Sequence, residues 1–151
     1  MINKDLKLGI KKLNILIEYV SKCEIDENEL YEKMVDTFGY IGAFYDYIKD
    51  ENLSNEQDIT LKCCSVLNNA FKHKKELNGS IEELKIIKYG TDLSCCLLDA
   101  PFSDVVFFQN SSYLEGMRDS SNYDYYKEYI ENQRLDVFLS KVRKVLGEIN
   151  D

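Results

Sequence analysis

Apolar residues recur near the start of the chain as Leu6, Ile10, Leu13, Ile17 and Val20, in steps of four, three, four and three. That spacing predicts an amphipathic helix of about five turns. The segment KCEID breaks the pattern, and Asp26 with Glu29 three residues later has the spacing of a capping box that starts a second helix. Its expected buried face is Leu30, Met34, Phe38, Ile41, Tyr45 and Ile48. Gly39 and Gly42 fall within it. Glycine costs about 1 kcal/mol in a helix interior, so a close approach by another helix is a reason to keep both. Ser54 and Gln57 repeat the capping spacing and open a third helix through Ile59, Cys63, Val66, Leu67 and Ala70, with Asn78-Gly79 as its stop.

From Ser80 to Asp119 the pattern changes. LKIIKY, DLSCCLL and DVVFF are short apolar runs separated by Gly90 and by DAPFS, which predicts two or three strands. Ser80-Ile81-Glu82-Glu83 equally fits the cap of a short helix. Helical spacing returns from Asn122, with Tyr126 and Ile130 four apart and Leu135, Phe138, Val142, Val145 and Ile149 continuing to the end. The expected fold is mainly α. It is a four-helix bundle with a small β-hairpin or three-strand excursion, about residues 84–108, between the third and fourth helices. A single proline and seven glycines agree with long uninterrupted helices. No repeat, linker or low-complexity tract divides the chain, so residues 1–151 are expected to form one domain.

Charge changes the picture more than composition does. The formal net charge is −8 with a pI near 4.8, which opposes broad non-specific binding of nucleic acid. The distribution is uneven. Glu24, Asp26, Glu27, Glu29, Glu32 and Asp36 face a single lysine between positions 24 and 36. Between Gln57 and Glu76 the only acid is Asp58, whereas Lys62, Lys72, Lys74 and Lys75 gather beside His73. No apolar run approaches the roughly 20 residues that cross a bilayer. Five cysteines, Cys23 and the adjacent pairs Cys63-Cys64 and Cys95-Cys96, make a poor disulfide framework. The expected setting is a reducing cytoplasm, with no membrane association.

His73 is the only histidine and lies in N68-N-A-F-K-H73-K-K-E. An imidazole moves protons near neutrality, and Lys72, Lys74 and Lys75 would hold a phosphate beside it. Asn69 is four residues before His73, on the same helical face, and Asn68 is five before it. The competing explanation is that basic residues at a helix C-terminus complement its dipole.

NNAFKHKKEL, followed by a β-like stretch containing PF and a tyrosine-rich YxxYIEN helix, resembles small helical proteins of prokaryotic defence and toxin–antitoxin loci, within or beside the HEPN superfamily. The similarity runs from about Ser54 to the C-terminus. It implies a helical, homodimeric protein, and in active members a metal-independent ribonuclease that pairs an arginine with a histidine. His73 takes the histidine position, Asn69 the polar position, and Asn68 stands where the arginine belongs. Asparagine lacks the permanent charge that stabilises a phosphorane-like transition state.

The remaining motifs have ordinary explanations beside sharper ones. Structural zinc sites space their thiols as C-x2-4-C, so the adjacent pairs argue for buried thiols and against a metal, and no cofactor is expected. FGYIGAFYDYI (38–48) and NYDYYKEYI (122–130) are aromatic-rich. Tyr125 and Tyr129 have the spacing of a base-stacking ladder, but Asp124, Glu128 and Glu131 oppose a phosphate backbone, which leaves core packing or a protein interface. Three functions are compatible with these features. The first is a non-enzymatic interaction or regulatory protein of bacterial or phage conflict. The second is an acidic inhibitor or immunity protein that neutralises a basic toxin or nuclease through Glu24, Asp26, Glu27, Glu29, Glu32 and Asp36. The third is a ribonuclease using His73 with Asn68 and Asn69. A protein partner is favoured over RNA.

Overall fold

The structure is a computed structural model and describes residues 4–22, 24–72, 84–87, 105–110 and 120–150. It is mainly helical. Along the chain run α1 (Lys4–Val20), α2 (Glu27–Ile48), α3 (Asn55–Lys72), β1 (Leu84–Ile87), β2 (Val105–Phe108), α4 (Ser120–Tyr129) and α5 (Leu135–Asn150). The stop expected at Asn78-Gly79 and the run DLSCCLL lie outside the described residues.

Both capping signals form. The Asp26 carboxylate accepts the Glu29 N–H at 2.9 Å and opens α2. Ser54 and Gln57 make the reciprocal pair: Gln57 N–H donates to Ser54 Oγ at 3.2 Å, and Ser54 N–H to Gln57 Oε1 at 3.1 Å. Two of the N–H groups that a helix start leaves without partners are thereby satisfied. Ser54→Ala is expected to cost about 1 kcal/mol, read as a lower urea midpoint with an unchanged slope.

All six residues expected on the inner face of α2 are buried. On α1 the buried line is Leu6, Gly9, Leu13, Leu16 and Tyr19, while Ile10, Ile17 and Val20 are half-buried beside it. The expected stripe is thus turned toward its neighbouring line of residues. Gly9 explains the turn: a Cβ there would stand 3.1 Å from Ile41 Cγ1, so α1 leans onto α2 at the one position without a side chain.

β1 and β2 pair antiparallel, Leu84 opposite Phe108 and Ile87 opposite Val105, so the excursion between the third and fourth helices contains a two-stranded sheet. The chain beyond β2 corrects one expectation. The long final helix is interrupted between Tyr129 and Leu135, giving α4 and α5. Asn132 takes a φ of 64°, in the left-handed region that asparagine tolerates better than most residues. The next residues then run along β2: Phe108 N–H donates to the Gln133 carbonyl at 2.9 Å, Asn132 N–H to the Phe108 carbonyl at 3.0 Å, and Phe107 bridges Arg134. A continuous helix would leave those strand groups unpaired.

The core unites these elements. α1 packs on α2, α2 on α3, and α5 against α1, α3 and β2, with α4 on α3. Of the residues expected on one stripe, Tyr126, Ile130, Leu135, Phe138, Val142 and Val145 are buried even though the helix is divided, and Ile149 is half-buried at its end. Tyr126 is fully buried and donates its hydroxyl to the Gln109 carbonyl at 2.7 Å, tying α4 to the end of β2.

Candidate protein-interaction face

The acidic run spans the residues just before α2 and the N-terminal half of that helix. Glu24, Asp26, Glu27, Glu29, Glu32 and Asp36 are all exposed. Asp26 is committed to the fold: besides capping α2, its own N–H donates to Tyr19 Oη at 2.9 Å. The buried Tyr19 ring lies under two ammonium groups, Lys22 at 5.6 Å and Lys33 at 5.3 Å from its centroid. Lys33 also pairs with Glu29 at 3.7 Å, and Lys12 with Asp36 at 3.5 Å. These are exposed pairs of the kind that contribute little to stability. Glu24, Glu27 and Glu32 have no ion pair among the described residues. A surface field of one sign therefore persists along the start of α2.

The same helix exposes apolar surface farther on. Val35 is 37% and Tyr47 63% exposed, and Ala43 is exposed between them. The string FGYIGAFYDYI is accordingly split: Phe38, Ile41, Phe44, Tyr45 and Ile48 enter the core, and Tyr47 faces out. The string is therefore not one unit, and its composition does not single out Tyr47. The usable signal was the spacing of Val35, Gly39, Ala43 and Tyr47 by four, opposite the line from Met34 through Phe38, Ile41 and Tyr45.

The basic segment has a different fate. Asn68 is only 7% exposed. It sits at the α2–α3 contact, where a Cβ on Gly42 would fall 2.8 Å from Asn68 Nδ2 and 3.1 Å from its Cβ. Gly42 thus admits a close approach of α3, and Asn68 fills the space. Asn69 is half-buried, and Lys72 closes α3. His73, Lys74 and Lys75, with the side chain of Lys72, lie outside the described residues.

Cys63 and Cys64 are free and buried. Burial pushes the Cys63 thiol up to about 12, opposed in part by Lys141, and raises Cys64 as well. Both stay protonated near neutrality, which suits a packing role and not thiolate chemistry. Cys23, Cys95 and Cys96 lie outside the described residues. Among the described residues no cluster of three His, Cys, Asp or Glu side chains is placed to hold a metal ion.

Tyr125 and Tyr129 do meet, their ring centroids 4.6 Å apart and tilted by 47°. Tyr125 is half-buried, lies under Lys62 Nζ at 4.8 Å and donates to the Ile59 carbonyl at 3.4 Å. Tyr125 fastens α4 to α3. Nearby, Tyr45 donates to Asp58 at 2.8 Å, and burial, followed by that carboxylate, raises its pKa. No helix among the described residues is long and apolar enough to cross a membrane. No family model, curated protein or solved structure matches the chain.

Proposed function

We propose that this chain is a non-enzymatic interaction protein that docks a basic protein partner through the acidic N-terminal half of α2. The exposure of Glu24, just before α2, and of Glu27, Glu29, Glu32 and Asp36 along it, with only Lys33 interspersed, carries the reading. Opposite charge on a partner would speed encounter and fix orientation, as acidic inhibitors require. The burial of Asn68 supports a non-enzymatic role, since the residue standing for an arginine is packed against Gly42 and away from solvent. A HEPN-like fold with a four-helix core and a setting in bacterial or phage conflict belong to this proposal, on the resemblance of the segment from Ser54 onward. An inhibitor of a basic toxin or nuclease is its most specific form, in the cytoplasm.

The complex is expected to be strongly salt-dependent, because exposed charges interact over a Debye length of about 8 Å at physiological ionic strength. A partner held on immobilised wild-type chain at low salt should elute as salt rises. Changing Glu27, Glu29 and Glu32 together to lysine should lower its affinity by at least tenfold. Glu27 and Glu29 lie in the first turn of α2, where each acid contributes about 0.3–1 kcal/mol to helix stability. A melting curve should therefore accompany the binding curve. Unchanged affinity in the folded triple variant rules out this face.

A further inference from the structure

We infer that the whole solvent side of α2 is a docking face for one amphipathic basic helix of the partner. This rests on the acidic docking reading above and specifies its occupant. Glu32, Val35, Asp36, Gly39, Ala43, Asp46 and Tyr47 follow one another at helical spacing, opposite the stripe from Leu30 to Ile48 that enters the core. Glu32, Val35, Asp36, Ala43, Asp46 and Tyr47 are exposed and Gly39 is partly exposed. Carboxylates stand at both ends of this surface, and its middle is apolar and low.

Each feature selects the occupant. Gly39 and Ala43, four apart, leave no bulk at the centre, and the separation of packed helices is set by the side chains at their contact. An incoming helix therefore approaches closest there. Val35 on one side and Tyr47 on the other give its apolar residues two anchors, and exposed aromatic rings are common at interface centres. Glu32, Asp36 and Asp46 then face lysines or arginines on the flanks of the same helix. From Glu32 to Tyr47 the surface spans about 22 Å at 1.5 Å per residue, matching an occupant of about four turns. Scattered apolar residues such as Ile15 on α1 and Val137 on α5 are ordinary surface features. Val35 and Tyr47 differ in sharing one stripe with the small residues between them. A second copy of this chain is disfavoured as occupant, because its own α2 would bring carboxylates against carboxylates.

A fluorescent synthetic helix with leucines on one face and lysines on the other tests the inference by anisotropy. A control peptide of equal charge carries glutamine in place of leucine. Wild-type chain is expected to bind the leucine peptide at least tenfold more tightly than the glutamine peptide. The pair Val35→Ser and Tyr47→Ser should remove that preference while leaving the salt dependence intact, and Glu32→Lys with Asp36→Lys should abolish binding of both peptides. All four positions are exposed, and circular dichroism checks that the variants fold. Equal binding of the two peptides, or a serine pair without effect, overturns the apolar docking stripe and leaves acidic docking standing. Binding unchanged by the lysine pair overturns acidic docking itself, and no binding of either peptide overturns both. A wild-type dimer in light scattering that Tyr47→Ser splits makes a second copy the occupant and overturns the proposal.

Discussion

Phe38→Ala should destabilise the chain by about 3–5 kcal/mol, the range for emptying a buried phenylalanine site. Phe38 has no solvent exposure and stands where three helices meet. Its ring lies 6.3 Å from Phe71 of α3, nearly parallel at 16°, and 6.1 Å from Phe138 of α5, tilted by 45°. The cluster continues outward from both neighbours. Tyr31 meets Phe71 edge-on at 5.5 Å, and Phe108 of β2 meets Phe138 edge-on at 5.4 Å. Removing Phe38 therefore withdraws its transfer free energy and also a shared partner from two aromatic pairs, each worth about 0.5–1.5 kcal/mol beyond burial. The site cannot collapse easily, because its walls belong to three different helices. A domain of this size has about 5–15 kcal/mol in all, so the loss is a large fraction of the total. Phe38→Leu keeps most of the volume and should cost clearly less. Urea denaturation of the two variants measures both effects; a loss under about 1 kcal/mol in the alanine variant would show that the junction does not hold α2, α3 and α5 together.

The inner face of α2 was legible because Leu30, Met34, Phe38, Ile41, Tyr45 and Ile48 recur in steps of three and four, whereas the composition of the aromatic-rich stretch 38–48 gave no sign that Phe44 is buried and Tyr47 exposed. α1 was less determinate. Leu16 and Tyr19 compete with Ile17 and Val20 for the core, and the choice is made by Gly9 seating against Ile41, a contact between residues far apart in sequence. The break between α4 and α5 leaves a trace in the spacing of apolar residues. The step from Ile130 to Leu135 is five residues, which fits neither three nor four, and Asn132 falls inside it. What fills the break is a β2 partner that no local pattern announces. The candidate sites divide in the same way. Exposure of the acidic run follows from its own composition. Burial of Asn68 does not, since an asparagine in a polar-looking NNAFKHKK segment has no local reason to point at a glycine 26 positions earlier.

That long-range contact sets up the second large effect. Gly42→Ala should destabilise by about 1–3 kcal/mol, the usual cost of overpacking, although alanine is intrinsically the better helix former by about 1 kcal/mol. The new methyl would lie 2.8 Å from Asn68 Nδ2, 3.1 Å from its Cβ and 3.3 Å from its Cγ. The Asn68 Cβ is fixed to its own backbone, so a rotamer change cannot relieve every contact and α2 must move from α3. Gly39→Ala is the internal control: its Cβ would meet only Asn68 Oδ1, at 4.0 Å, and the propensity gain should appear as added stability. The decisive measurement is a double-mutant cycle by urea denaturation. Asn68→Ala removes a buried amide that makes no hydrogen bond among the described residues, and in that background Gly42→Ala should become neutral or stabilising. An equal cost of Gly42→Ala in both backgrounds would mean that Asn68 is not what the glycine accommodates. A reversal of sign would establish that glycine and asparagine are one device, by which a side chain on α3 fixes how closely and in what register α2 lies against it.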